Sequence, residues 1–570
     1  MKPSLSSRLS ALFALAALGL AAFALSACGG SSSTAAGTPS GEATVGAGAG
    51  SKPVEGTPVK GGTLVYGTDR EPTCLDPHNL GDMPQTYVAR QYLDSLVSMQ
   101  PDGSVVPWLA TKWQISDDGL QYTFDLKKGV KFTDGTPFDA EAVKANFEQT
   151  LDPETQSSTN LVYLLPIYKG IDVLDKYTVR VNLKRPYSPF LDVLSQAFFG
   201  MESPQAMARG IKANCVSPVG TGPFILKKWT KGQEIDLVRN DNYNSAPADA
   251  NNQGPAYLDA ITWRFLPDSS VRWSALQSGE AQAIFNIPPE DFVAAQSDPN
   301  IELQQFTHAG IGHYIVLDNS EPPFDDIKVR QAFNLAANTP AAVESAYQGA
   351  YPAATSAISS GTPFYTDKFA GLYPHDVAKA EQLLDEAGWK KGANGVREKD
   401  GKPLTVKFLY GSGPGETPPA ELTLYQNVQA AVKEAGFEVN LVPTPQAQYY
   451  EEANIPADFD AEPTYWNCPT PMCMYIVAST ETYDQPFANM SKIKNPELDK
   501  TLLAAAAADP DDRATQQKLY EKAQQIIAEN AYWVPMYPEQ TLLGISKKLK
   551  GAWIEPSEGE PVLSDAWLES

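Results

Sequence analysis

YTFDLKKGVKFTDGTPF, Tyr122 to Phe138, is the stretch from which the fold can be read. Gln121–Leu126 alternates with period two. Tyr122, Phe124 and Leu126 fall on one face, Gln121, Thr123 and Asp125 on the other, the pattern of a half-buried strand. Asp134-Gly135 marks a turn. Asp139 then stands as the N-cap of a helix that puts Val143, Phe147 and Leu151 on one face. Tyr177–Leu183 repeats the period of two and predicts a second strand.

The same grammar extends outward. Thr63–Gly67 predicts the first globular strand, and Glu71–Pro77 a turn-rich loop. Ala260–Phe265 alternates as a strand, and Val271–Leu276 predicts a helix. Asp325 or Asp326 caps a helix with Val329, Ala332, Phe333 and Ala336 on one face. Asp376 caps another, with Val377, Ala380, Leu383, Leu384 and Ala387 inward and Gly388 as its stop. Leu404–Leu409 predicts a strand, Ala420–Ala435 a helix, and Leu519, Ala523, Ile526 and Ile527 the last amphipathic face. Strands alternating with helices predict α/β lobes with mainly parallel sheets. No internal repeat is visible.

The chain of 570 residues is long enough for several cores, and 42% hydrophobic against 20% charged residues is an ordinary globular balance. The formal charge of -24 comes without a Lys/Arg cluster, which argues against nucleic-acid binding. Lys2 and Arg8 precede an apolar run, Leu9–Leu25, too short for a membrane span and ending in small residues. This reads as a secretory signal over residues 1–27. Leu25-Ser26-Ala27-Cys28 resembles a bacterial lipoprotein box, which would make Cys28 the lipidated N-terminus of the mature chain. The alternative is an ordinary signal peptide with a chance cysteine. Residues 28–60 are rich in Gly, Ser, Thr, Ala and Pro and are expected to form a flexible tether. Acyl chains on Cys28 would hold the protein at the outer face of the cytoplasmic membrane.

Four cysteines remain, Cys74, Cys215, Cys468 and Cys473, and outside the cytoplasm they favour disulfides, with three possible pairings. Histidines are scarce, and His308 and His313, five apart on a predicted strand, would face opposite ways. They are expected to be hinge or surface histidines rather than metal ligands. No metal and no cofactor is expected.

Five stretches in one order carry a resemblance: Tyr122–Phe138, Val219–Phe224 (VGTGPF), Tyr257–Asp259, Phe265–Glu280 and Phe324–Phe333. Together they resemble the peptide/nickel family of ABC-transporter solute-binding proteins, which includes the dipeptide- and oligopeptide-binding proteins. The resemblance runs from about Gly61 to Trp553. It implies the bilobal periplasmic-binding-protein-like α/β fold of the large three-domain type, with a cleft between domains I and III. Domain I would comprise residues 61–93, 216–313 and 534–570, domain II residues 94–215, and domain III residues 314–533. Two segments, near Ala309–Tyr314 and Val534–Pro538, would form the hinge. Because both ends of the domain II insertion must then lie close together, the resemblance pairs Cys74 with Cys215, and with it Cys468 with Cys473.

The resemblance also places Trp466 at the end of a domain III strand, before a loop that faces the ligand. Tyr465, Asn467 and Tyr475 flank it, and Thr73, Phe285 and Asn286 lie at domain I loop ends. All seven are candidate ligand contacts. In peptide binders of the family an Asp in this loop holds the ligand's ammonium. Here Asn467–Cys473 (NCPTPMC) contains no carboxylate, nor is the family's carboxylate-binding Arg evident in Tyr410–Gly415. Free thiols, or a catalytic or metal role, are the alternatives to a structural disulfide at Cys468 and Cys473.

The expected function is capture of a peptide or peptide-like solute by hinge closure and delivery to an ABC permease, by a monomer, with no chemistry on the solute. A non-peptide solute, in an importer or a sensor, is the alternative. An extracytoplasmic hydrolase is disfavoured, since neither Gly-x-Ser-x-Gly nor His-Glu-x-x-His occurs.

Overall fold

The computed structural model describes residues 50, 56–79, 81–157, 162–413, 416–445, 448, 458–485, 488–510 and 512–569. The expected signal segment, Cys28 and most of the expected tether lie outside them. Residues 56–60 are exposed. Gly50, in contrast, is buried, and its amide donates to the Ile554 carbonyl at 2.8 Å, so this part of the expected tether is docked.

Among the described residues, the three sheets of four or more strands organise the chain. The first has seven strands in the order Ile301–Thr307, Gln540–Ser546, Ala283–Ile284, Thr63–Thr68, Ala260–Phe265, Glu234–Arg239 and Phe224–Thr230. The second has five: Glu438–Pro445, Thr405–Ser412, Ala461–Asn467, Gly310–Leu317 and Trp533–Tyr537. The third has four: Ala110–Ile115, Gln121–Leu126, Thr178–Leu183 and Tyr168–Asp175.

The expectation of mainly parallel sheets needs correction. In the seven-stranded sheet Thr63–Thr68 pairs in parallel with two neighbours, but the other four pairings are antiparallel. The four-stranded sheet is antiparallel throughout. The reason is local. Antiparallel neighbours such as Phe224–Thr230 and Glu234–Arg239 follow one another through a tight turn, where Gly232 takes φ +72°, and need no crossover helix. The strict alternation at Gln121–Leu126 is itself an antiparallel signature, because it gives one wet and one dry face.

The caps form as the side-chain chemistry dictates. The Asp139 carboxylate accepts the Ala142 amide at 3.3 Å, and Asp376 accepts that of Lys379 at 2.8 Å. Asp326, rather than Asp325, caps the helix Ile327–Ala336 through the Lys328 amide at 2.9 Å. Gly388, at φ +90°, stops the helix Val377–Glu386.

Among the described residues the chain crosses between the two large sheets twice. His308-Ala309 joins Ile301–Thr307 to Gly310–Leu317, and Pro538-Glu539 joins Trp533–Tyr537 to Gln540–Ser546. The crossings run side by side: the His308 amide donates to the Glu539 carbonyl at 2.9 Å. Gly312 is required there, since a Cβ would sit 2.5 Å from the Tyr537 carbonyl oxygen. A cavity of about 190 Å³ borders this junction, lined in part by Gly312, Ser356, Trp533 and Pro538.

Candidate functional site

Strand Ala461–Asn467 ends where the first crossing begins, with Trp466 opposite Ile311 and Asn467 opposite Gly310. Gly310 leaves no room for a side chain, because a Cβ would lie 2.2 Å from the Trp466 carbonyl oxygen. Tyr465, Trp466 and Asn467 are each half-buried here. The Cys468 amide donates to the Ala309 carbonyl at 3.1 Å, and a disulfide joins Cys468 to Cys473. Pro469, Thr470, Pro471 and Met472 are buried inside that short loop, and helix Cys473–Ala478 follows. The other disulfide joins Cys74 to Cys215, with Cα atoms 4.8 Å apart.

On one side of Tyr465 lies a charged clamp. His313 Nε2 is 2.6 Å from a Glu539 carboxylate oxygen, and Nδ1 is 3.4 Å from Glu421. The ring is stacked between Tyr537 at 4.3 Å and Tyr465 at 4.7 Å. Burial opposes charge on the imidazole, but Glu539 and Glu421 outweigh it and hold its pKa above the ordinary value. Both histidines are buried, which corrects the surface alternative. His308 is held neutral, its pKa pushed down by burial to about 4, and its Nε2 pairs with the Thr541 hydroxyl at 2.8 Å.

Arg70, just after the first strand, faces Tyr465 from the other sheet. Burial works against its charge, but Asp82, Tyr465, Asp69 and Tyr87 together hold the guanidinium firmly protonated. Burial in turn raises the pKa of Asp82 despite Arg70. Phe285 packs on Tyr87 at 5.1 Å, which links that candidate to this group.

Trp466 adjoins a second group of buried polar side chains. The Trp466 indole and Gln196 amide lie next to the Tyr163 hydroxyl, whose pKa is raised by burial and then by the Glu558 carboxylate. Glu555, Glu558 and Glu560 are all buried on the loop after Trp553-Ile554. Glu555 accepts both the Ser557 and Glu558 amides. Asn467 Oδ1 and both carboxylate oxygens of Glu558 have no hydrogen-bond partner among the described residues, while Glu560 lies between Glu555 and Arg90. Arg90 Nη2 stands 3.8 Å from Glu560 but donates to the Ser195 carbonyl at 2.9 Å. Burial, then the neighbouring Glu555, raises the pKa of Glu558 well above the carboxylate range.

Tyr465 and Trp466, successive on one strand, meet different groups, His313 and Arg70 for Tyr465 and Tyr163 for Trp466, and Phe285 reaches the Tyr465 side through Tyr87. Tyr475 joins neither: it is buried in the core, its hydroxyl bound to Glu481 and to Arg185, whose guanidinium caps the ring at 5.2 Å. Asn286 spends its side-chain oxygen on the Leu542 amide at 3.1 Å, and Thr73 is exposed.

The chain matches the family model described as bacterial extracellular solute-binding proteins, family 5 middle, over residues 104–485, more than half its length. It is 31% identical over 499 residues to the glutathione-binding protein GsiB of Salmonella paratyphi A, covering 85% of this chain and 91% of that one. The chain belongs to the family 5 bacterial extracellular solute-binding proteins. Among solved structures, the oligopeptide-binding protein AppA of Bacillus subtilis, in complex with a nonapeptide, superposes with TM-score 0.78 at 26% identity, over 90% of this chain and 100% of that one. NikA of Brucella suis, in complex with Fe(III)-EDTA, gives TM-score 0.75 at 25% identity, over 89% and 100%.

This family 5 protein is accordingly an extracytoplasmic solute-binding component of an ABC importer with the bilobal α/β fold. Among the described residues no helix is long and apolar enough to cross a membrane. Sequence reasoning missed Arg70, Tyr163, Gln196, Glu558 and Glu560. Arg70 had a signal, since it lies just after the first strand, on the same loop as Thr73. The acids of Glu555–Glu560 (EPSEGE) read as an ordinary solvated turn, and nothing local marks them as buried.

Proposed function

We propose that the protein captures a peptide or peptide-like solute carrying a free ammonium between the two large sheets. The crossings at His308-Ala309 and Pro538-Glu539 serve as its hinge. Residues 61–93, 216–313 and 534–570 act as domain I, 94–215 as domain II and 314–533 as domain III. Cys28 carries the lipid that keeps the monomer near its permease. Relatives that bind glutathione and a nonapeptide support a peptide-like solute.

One observation carries the reading. The buried Glu558 carboxylate, without a hydrogen-bond partner among the described residues, acts on the Tyr163 hydroxyl that adjoins Trp466, while the loop Asn467–Cys473 offers no acid. Such groups are costly unless a partner arrives, and an ammonium supplies both the donors and the charge. Arg70, on the other side of Tyr465, suits the solute's carboxylate.

Titration calorimetry with free and N-acetylated tripeptides tests this. Free tripeptides should bind, and acetylation or Glu558→Gln should weaken binding by about 10- to 100-fold, the worth of a charged hydrogen bond. Equal binding of acetylated peptides would remove the ammonium from the account.

A further inference from the structure

A second cluster of unspent groups lies away from Trp466, beside the Cys74–Cys215 disulfide. Asp76 and His78 are on the loop that follows Cys74, Glu202 precedes Ser203, and Asn214 precedes Cys215. Asp76, Glu202 and Asn214 are 0% exposed and His78 is 1% exposed. One ligand atom from each of Asp76, His78 and Glu202 lies within 4.8 Å of the others.

The tautomer of His78 follows from its partner. Nε2 is 2.9 Å from the Gly200 carbonyl oxygen, which can only accept, so the ring hydrogen is on Nε2. Nδ1 of the neutral ring is then a bare lone pair, 4.0 Å from Asp76 Oδ1, with no hydrogen-bond partner among the described residues. The Gln149 side chain also approaches the ring. Glu202 Oε1 is likewise unpartnered. The other oxygens are spoken for: Asn214 Nδ2 donates to Glu202 Oε2 and, at 2.8 Å, to Asp76 Oδ2, which also accepts Gln149 Nε2 at 3.3 Å. Asp76 Oδ1 accepts the His78 amide at 2.8 Å.

An imidazole lone pair whose far nitrogen is fixed on a carbonyl, facing two carboxylates that are oriented by amides, is how proteins prepare metal ligands. A divalent ion would balance the two carboxylates and satisfy the bare acceptors. Mixed imidazole and carboxylate donors suit zinc or manganese better than calcium or magnesium.

We propose that Asp76 Oδ1, His78 Nδ1 and Glu202 Oε1 bind one divalent transition-metal ion. The ion is structural. It fixes the loop after the first strand against the returning chain at Glu202, where the disulfide makes a covalent tie. It takes no part in holding solute.

The test uses the full chain with its disulfides intact, stripped of metal and then titrated with zinc and, separately, manganese. About one equivalent should bind, and the melting temperature should rise by a few degrees. Glu202→Gln and His78→Gln should abolish both effects. Zinc-edge anomalous density in crystals of the unmodified protein, lying between the three side chains, reads the site without relying on variants that fold poorly. Failure of both metals to bind, or anomalous density only elsewhere, would overturn the proposal and leave Asp76 and Glu202 sharing a proton.

Discussion

Trp466 presents a half-buried indole beside the Tyr163 hydroxyl, on which the buried Glu558 carboxylate acts. Replacing it with alanine removes an aromatic anchor, and solute affinity measured by calorimetry should fall by about 10-fold or more. Glu558 adds a pH dependence. Its pKa is raised by burial, and an ammonium binds its ionised form, so affinity for a free peptide should increase as pH rises through the raised value. His313 has the opposite sign for stability. Its folded pKa is raised, so the ties to Glu539 and Glu421 are fully present below its ordinary value and are lost as pH rises through the folded one. The melting temperature of the wild type should exceed that of His313→Gln most below the ordinary histidine pKa, and the gap should narrow as pH rises through the raised value. A constant gap would remove the charge from the hinge. The sequence showed Trp466 because it ends a recognisable strand. It could not show the His313 clamp, whose partners come from Glu421 and Glu539, far along the chain.

The elements were more legible than their pairings. Asp139, Asp376 and Gly388 act where local chemistry says they should, because a cap involves only its own first turn. Strand direction depends on which distant segment lies alongside, and there the expectation of parallel sheets failed. The pairing of Cys74 with Cys215, drawn from the resemblance, spans 141 residues and ties two such distant segments. Replacing both cysteines with alanine should cost up to about 4–5 kcal/mol in the chain-entropy model, read as a lowered denaturation midpoint. At the crossing, Gly312→Ala forces a Cβ against the Tyr537 carbonyl. It should destabilise by about 1–3 kcal/mol in chemical denaturation, the usual cost of overpacking.

For the molecule as a whole, two large sheets are joined by two adjacent crossings, and in the proposed reading these are the hinge on which a solute held on both sides favours the closed arrangement. The family and fold were legible because five motifs recur in order. The solute was not, because the groups beside Trp466 and beside Tyr465 come from distant parts of the chain. The most direct test of capture is native mass spectrometry of the purified chain, with and without mild denaturation. Released masses should form a ladder spaced by amino-acid residues. A single released non-peptide mass would contradict peptide capture, and Glu558 would then serve a different cation.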